Sequence, residues 1–319
     1  MLTGTIPDSI GKLSSLQHLY IHGNEITGKI PSSVGNLTQL SALALLGNML
    51  EGSIPASLGN CKKLQLLSLS RNHLTGAIPE QIIGLSSLSI ALVLAQNYLT
   101  GPLPLQVGSL KNLGMLDISD NRLSGEIPST LGNCLVLERL LMQGNNFRGT
   151  IPSSFKQLKG IRALDLSRNN LSGQIPSFLG EFSSIQNLNL SFNMFEDEVP
   201  TEGSVFRNTS VFSVEGNKKL CGGIKALQLP ACPSKVSLKK RKPFSTHIIV
   251  PLVVTLVVVL LLACLSAIFY LRRRSTQQTS LASPLQNQYP KLSFAELFQA
   301  TNEFSSDNLI GEGSYGSVY

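Results

Sequence analysis

Charged residues make up only 14% of this 319-residue chain, well below the roughly 25% of ordinary soluble proteins. Some long apolar component dilutes them. Acidic residues are missing altogether between 235 and 274, where eight basic ones stand, whereas residues 1–234 are close to balance with 17 basic and 15 acidic groups. The net charge of +7 is therefore local, and a nucleic-acid partner is not expected. Recognisable catalytic constellations are lacking as well. The four histidines, His18, His22, His73 and His247, form no H-E-x-x-H, and there is neither a G-x-S-x-G nor a cysteine set at metal-ligand spacing, so no catalytic residue and no metal site is expected.

The diluting component is the run Ile248 to Leu271, which has no charged residue and is bracketed by Lys239-Lys240-Arg241-Lys242 and Arg272-Arg273-Arg274. As a helix it would reach about 36 Å, enough to cross a bilayer core of about 30 Å with some tilt. The flanking cations then suit lipid headgroups. One transmembrane helix at 248–271 is expected, with membrane lipid as a partner.

The first 200 residues repeat. The stretch LTGTIP at residue 2 returns as ITGKIP at 26, LEGSIP at 50, LTGAIP at 74, LTGPLP at 99, LSGEIP at 123, FRGTIP at 147, LSGQIP at 171 and FEDEVP at 195. Copies of L-x-x-L-x-x-L-x-L-x-x-N lie between, the first being Leu13, Leu16, Leu19, Ile21 and Asn24. An L-x-L core makes a short strand whose leucines face inward, and no single copy can bury them, so copies must stack. The asparagine is expected to bond backbone groups left free at the bend, and the glycine and proline to fix the next bend. About eight repeats over 1–200 are expected, with one extra residue between Leu88 and Leu92 forming a small bulge, and with the array ending at the acidic ninth copy, where Asp197 replaces glycine.

These motifs resemble the plant-type leucine-rich repeat. The tail YPKLSFAELFQATNEFSSDNLIGEGSYGSVY resembles the segment that leads into the cytoplasmic kinase of plant leucine-rich-repeat receptor-like serine/threonine kinases, and the cap and linker resemble their pattern-recognition immune receptors most. The fold class implied is an α/β-type leucine-rich-repeat solenoid of mostly short parallel strands, then one transmembrane helix and a largely disordered cytoplasmic tail. The domains expected are the repeat ectodomain (1–200), a cap (201–234), a basic juxtamembrane stretch (235–247), the span (248–271), a linker (272–308) and the beginning of a kinase domain (309–319). By the same resemblance Cys221 and Cys232 pair as a cap disulfide. Cys61 and Cys134 lie three repeats apart, about 14 Å along the stack, too far to bond to one another.

Gly311, Gly313 and Gly316, with Val318, would be an incomplete ATP loop, bare of side chains so that backbone can approach phosphates. ATP and magnesium are implied for the full-length family. The third-strand lysine, H-R-D and D-F-G that a kinase needs are absent from the sequence, so phosphotransfer and ATP binding are not expected of the chain by itself. With Met1 entering LTGTIP directly and Tyr319 closing the glycine loop, a piece cut at both ends is expected.

Four N-x-S/T sequons, at Asn36, Asn170, Asn189 and Asn208, precede the apolar run, as do the paired cysteines. Both suit a secretory environment, so the expected location is the plasma membrane, single-pass, with the N-terminus outside and the C-terminus in the cytoplasm. Ligand recognition is expected on the concave strand face, where Tyr20, Asp117, Leu141, Asp165 and Asn189 share one column, with His22, Arg139, Gln143 and Arg168 beside it. The partners implied are a peptide or protein ligand and a co-receptor kinase. The alternative is a kinase-less receptor-like protein that binds ligand and borrows a partner's catalytic domain.

Overall fold

The computed structural model describes residues 1–233, 254, 256–268, 293–313 and 316–318. Two units separate at Lys235. The first is a right-through stack of coils held by two parallel sheets. A nine-stranded sheet runs in order from His18–Tyr20 through Ala42–Ala44, Leu66–Ser68, Ala91–Val93, Met115–Asp117, Arg139–Leu141, Ala163–Asp165 and Asn187–Asn189 to Phe212–Ser213. Each strand is three residues or fewer. The middle residue of each points in: Leu43, Leu67, Leu92, Leu116, Leu140, Leu164 and Leu188 are all fully buried, which is the alternation a half-buried strand requires.

The L-x-G-x-I-P stretches hold a surprise. Expected as bends, they form a second, ten-stranded parallel sheet from Thr3–Thr5 to Lys219–Gly222. The glycine still has the conformation assigned to it, with φ of +84° at Gly125, but it sits inside a strand whose carbonyls and amides pair with the neighbouring coils. The proline then stands immediately before the turn that follows, for instance Pro128 at φ −61° ahead of Ser129–Asn133.

Those turns correct the α/β expectation for the array. Seven of them within the repeats are 3-10 helices, among them Ser32–Asn36 and Ser129–Asn133, and one, Glu80–Ile83, is a short α-turn. The fourth residue after the proline is glycine at Gly35, Gly59, Gly108 and Gly132, but it is Ile83 in this coil and Lys156 in the 3-10 turn Ser153–Gln157. An added Cβ at Gly35 or Gly132 would crowd the carbonyl of Ser57 or Ser154 in the next coil, so close stacking favours glycine there, although Lys156 shows that glycine alone does not set the winding.

The extra residue near Leu88 is a bulge beside the strand. The amides of Ser89 and Ile90 both donate to the carbonyl of Gln65, and the Ile90 side chain is 55% exposed. Gly114 in the following coil leaves room for it, since a Cβ there would lie 3.2 Å from the Ile90 carbonyl.

The array does not end at residue 200, which corrects the expected boundary. Phe212, Val214, Asn217 and Leu220 are buried in the places of Leu, Leu, Asn and Leu, and strands Phe212–Ser213 and Lys219–Gly222 extend both sheets by one more coil. With phenylalanine and valine in place of leucine, the copy falls below the repeat pattern while keeping its burial. Cys221 and Cys232 are bonded across this last coil.

Cys61 and Cys134 are free and fully buried, their Sγ atoms donating to the carbonyls of Val34 and Val107. Burial raises both thiols above their ordinary value, Cys134 to about 11, while Lys62 offsets part of the effect at Cys61. The folded thiol titrates above the unfolded one, so its contribution to stability is complete below the unfolded pKa and fades as pH climbs towards 11. With Cys264 replaced by serine, an aromatic disulfide reagent near pH 8 should label the folded chain at least roughly a hundredfold more slowly than the chain in denaturant. Equal rates would show that these coils open readily.

In the second unit, residues 256–268 are helical with apolar side chains facing outward, such as Val259 at 64% exposure. They belong to the expected span, the rest of which lies mainly outside the described residues. Among the described residues, no helix is long and apolar enough to cross a membrane. The described part of the tail contains the helix Phe294–Ala300, started by a capping box in which Ser293 Oγ accepts from the amide of Glu296 and the Glu296 carboxylate accepts from Ser293. Those bonds hold the carboxyl below its usual value. The tail is thus less disordered than expected over this stretch.

Candidate functional site

The strand register decides which side chains share a face. Tyr20 pairs with Ala44, Ala44 with Ser68, Ser68 with Val93, Val93 with Asp117, Asp117 with Leu141, Leu141 with Asp165 and Asp165 with Asn189. The bulge at Ile90 absorbs the longer repeat, so one column survives from end to end. A parallel column runs through His18, Ala42, Leu66, Ala91, Met115, Arg139 and Ala163. At one end Tyr20 is 54% exposed and stacks on His18 at 6.0 Å. The middle is a floor of small or apolar residues, with Ala42, Ala44, Ser68 and Ala91 buried. Polar and charged groups follow from Asp117 onward.

Several of those polar groups are already engaged. Asp117 accepts from the amide and hydroxyl of Ser119, and Asn189 does the same for Ser191. Asp165 accepts from the Ser167 amide with one oxygen and from the Asn189 side chain, at 3.2 Å, with the other. These residues therefore shape the exit from the strand as well as facing outward. Each keeps lone pairs free, and Arg139 is exposed and absent from the ion pairs among the described residues.

Gln143 lies one position beyond the strand Arg139–Leu141 and its neighbour Met142, and its Oε1 is enclosed without a hydrogen-bond partner. His22 occupies the equivalent place in the first complete coil. Arg168 is different. It sits at the position before the ladder asparagine, where glycine stands in other coils (Gly23, Gly47, Gly144), and takes a left-handed φ of 52°. Its side chain is exposed at the margin of the sheet.

Asn36, Asn170 and Asn208 are exposed. Asn189 is half-buried on its strand with its amide donating to Asp165, so a glycan there would have to displace that bond. Asn208 Oδ1 accepts from Ser210. Gly311–Gly313 and Gly316–Val318 pair as an antiparallel hairpin in which Val318 is exposed. An added Cβ at Gly311 or Gly316 would meet nothing within 4 Å. The hairpin offers no enclosed cradle by itself.

Two inter-coil features escaped the sequence reading. One is Asn217, the last rung of the ladder, whose amide donates to the carbonyls of Leu190 and Val214 while its oxygen accepts from Phe195. The other is an exposed stack in which His73 lies on Tyr98 at 6.0 Å and the Arg122 guanidinium lies 5.0 Å from the Tyr98 ring centre. The spacing of 25 then 24 residues between His73, Tyr98 and Arg122 would have found it.

Two stacked parallel sheets of short strands, tied by an asparagine in every coil, define a leucine-rich-repeat protein. Family models described as leucine-rich repeat match residues 136–195 and residues 15–37, 63–85 and 112–134. The curated relatives that the chain resembles are plant leucine-rich-repeat receptor-like kinases. It is 41% identical over 116 residues to receptor kinase-like protein Xa21 of Oryza sativa subsp. japonica, covering 36% of this chain and 10% of that protein. With the receptor-like serine/threonine-protein kinase EFR of Arabidopsis thaliana it is 41% identical over 123 residues, covering 36% and 12%. The match thus spans about a tenth of the length of these relatives. The ectodomain of the Arabidopsis receptor kinase HAESA, solved with an IDA peptide hormone, superposes with a TM-score of 0.61 at 36% identity over 70% of this chain and 36% of that one. A second HAESA structure, which also holds the co-receptor SERK1, gives 0.55 at 29% identity over 70% and 45%.

Proposed function

We propose that the chain is part of a single-pass plant cell-surface receptor that takes a peptide or protein ligand on its nine-stranded sheet and passes the signal through a cytoplasmic serine/threonine kinase. The observation that supports this reading is the unbroken column from Tyr20 to Asn189, which offers an extended ligand an aromatic end, a small-residue floor and a polar end. An extended chain advances about 3.3 Å per residue against coils about 4.8 Å apart, so a peptide laid along the column passes each coil within two residues. The peptide carried by HAESA, and the presence of SERK1 beside it, favour a peptide ligand and a co-receptor kinase here too. A membrane crossing by 248–271 would leave the array on one side of the bilayer, and the sequons and the disulfide support that side being the outside of the cell. ATP and magnesium would serve the kinase, towards which the Gly311, Gly313, Gly316 and Val318 hairpin contributes only one loop.

The reading is tested by screening synthetic secreted plant peptides against the chain and then reversing charge at Asp117 and Asp165 together. Any peptide so found should lose at least roughly tenfold in affinity, because truncation at a few central contacts dominates most interfaces. Lysine at these sites also removes the bonds to Ser119 and Ser167, so Leu141→Arg serves as the second variant, having no such bond to break. Undiminished binding in both variants would remove the column from the ligand site.

A further inference from the structure

Two hollows of the array lie off the nine-stranded sheet, where the ten-stranded sheet meets the turns that follow the prolines. One, of about 700 Å3, is walled by Pro102, Pro104, Leu105 and Pro128 and edged by Glu80 and Glu126. The other, of about 1090 Å3, is walled by Pro176, Phe178, Pro200 and the Cys221–Cys232 disulfide and edged by Asp197 and Glu198. Thr150 lines both, so they form one trough.

Its chemistry is uniform. Proline walls offer rigid apolar surface and no amide donors, and Leu105 is left 67% exposed in it. Four carboxylates edge the trough, and among the described residues no lysine, arginine or histidine lines it, although residues 1–234 as a whole carry slightly more basic than acidic groups. Glu80 and Asp197 each accept one bond from a neutral glutamine, Gln106 and Gln174. None of the four appears among the ion pairs of the described residues, which involve Glu138, Glu181 and Glu196 instead.

The geometry points to a docking trough for an extended, basic segment of a protein partner, with proline or other apolar residues between its cations. Apolar walls with carboxylates along the rim complement alternating apolar and cationic side chains, and they repel an acidic occupant. Spacing sharpens the expectation. Glu126 and Glu198 are three coils apart, about 14 Å, which an extended segment covers in about four residues. Cations four residues apart therefore fit best. This surface is separate from the ligand column and stands whether or not that column binds a peptide.

The test uses the full chain in detergent and a fluorescent synthetic peptide of proline and leucine with lysine at every fourth position, beside the same peptide with glutamate for lysine. The lysine peptide should bind saturably and weaken as salt rises from about 20 to 150 mM, and the glutamate peptide should not bind. Glu126→Gln with Glu198→Gln should weaken it about tenfold, the effect of losing two exposed pairs. Both positions are exposed, so the unfolding midpoint should not move. The comparison variant Glu215→Gln, away from the trough, should bind like the parent. Equal binding of both peptides, no loss in the double variant, or loss in Leu141→Arg instead would each overturn the proposal.

Discussion

Asn145→Ala should destabilise the array by roughly 2–3 kcal/mol, more than a typical single substitution. Asn145 is 6% exposed, and its side chain ties its own coil to the preceding one. Its Oδ1 accepts from the amide of Leu123 at 2.9 Å, and its side-chain amide donates to the carbonyls of Ile118 at 3.0 Å and Met142 at 3.2 Å. Alanine would leave the buried Leu123 N–H without a partner, at about 1–3 kcal/mol when water cannot replace the bond, while the carbonyls of Ile118 and Met142 would lose one donor each and keep another, Asn121 and Asn169. In a stack where every coil touches only its neighbours, the loss falls on the interface with the preceding coil, which holds Ile118 and Leu123. Urea unfolding together with hydrogen exchange checks this, with the amides of Leu123 and its neighbours expected to lose the most protection. A cost below about 1 kcal/mol would mean that water enters and rebuilds the rung.

Gly132→Val should cost about 2–3 kcal/mol by overpacking. The reason is space. A Cβ at Gly132 would lie 2.5 Å from the Ser154 carbonyl oxygen and 2.7 Å from Ser154 Cβ, and the closest of these is backbone that cannot swing aside. Gly125 makes the useful contrast: its added Cβ would have 3.4 Å of clearance, but its φ is +84°. An alanine scan over both therefore separates the two uses of glycine in one coil. Gly125→Asn should be tolerated better than Gly125→Val, because asparagine accepts a left-handed backbone, whereas at Gly132 the loss should follow side-chain volume. Thermal unfolding of the five variants decides it, and equal losses at both positions would refute the distinction. Large residues stand in the place of Gly132 at Ile83, in an α-turn, and at Lys156, in a 3-10 turn.

The column from Tyr20 to Asn189 was legible in advance because a repeat period is also a register. Residues 24 apart, such as Asp117, Leu141, Asp165 and Asn189, had to fall opposite one another once parallel strands were assumed. The bulge could be located in the same way. What could not be read was the occupation of those side chains, because the serines that bond Asp117 and Asn189 lie two residues on, at a bend whose path depends on the neighbouring coil. Asn217 was hidden by composition. Its coil substitutes Phe212 and Val214 for leucines, which suits the same burial but not the same pattern.

The sequence by itself determined the coil: its length, its inward leucines, its asparagine, the left-handed glycine and the proline that precedes each turn. These are local choices, made by side-chain alternation and by backbone conformations that few residues accept. Only the tertiary structure decided what the coils make together. The ten-stranded sheet forms because each L-x-G-x strand finds its pairing groups in adjacent coils, as Gly125 does opposite Phe147. The asparagine ladder joins atoms 22 and 27 residues apart. The acid-edged proline trough exists on no single coil, since its walls come from successive turns stacked side by side. Contacts at such separations arise from stacking, and a sequence read one coil at a time contains their ingredients without their geometry.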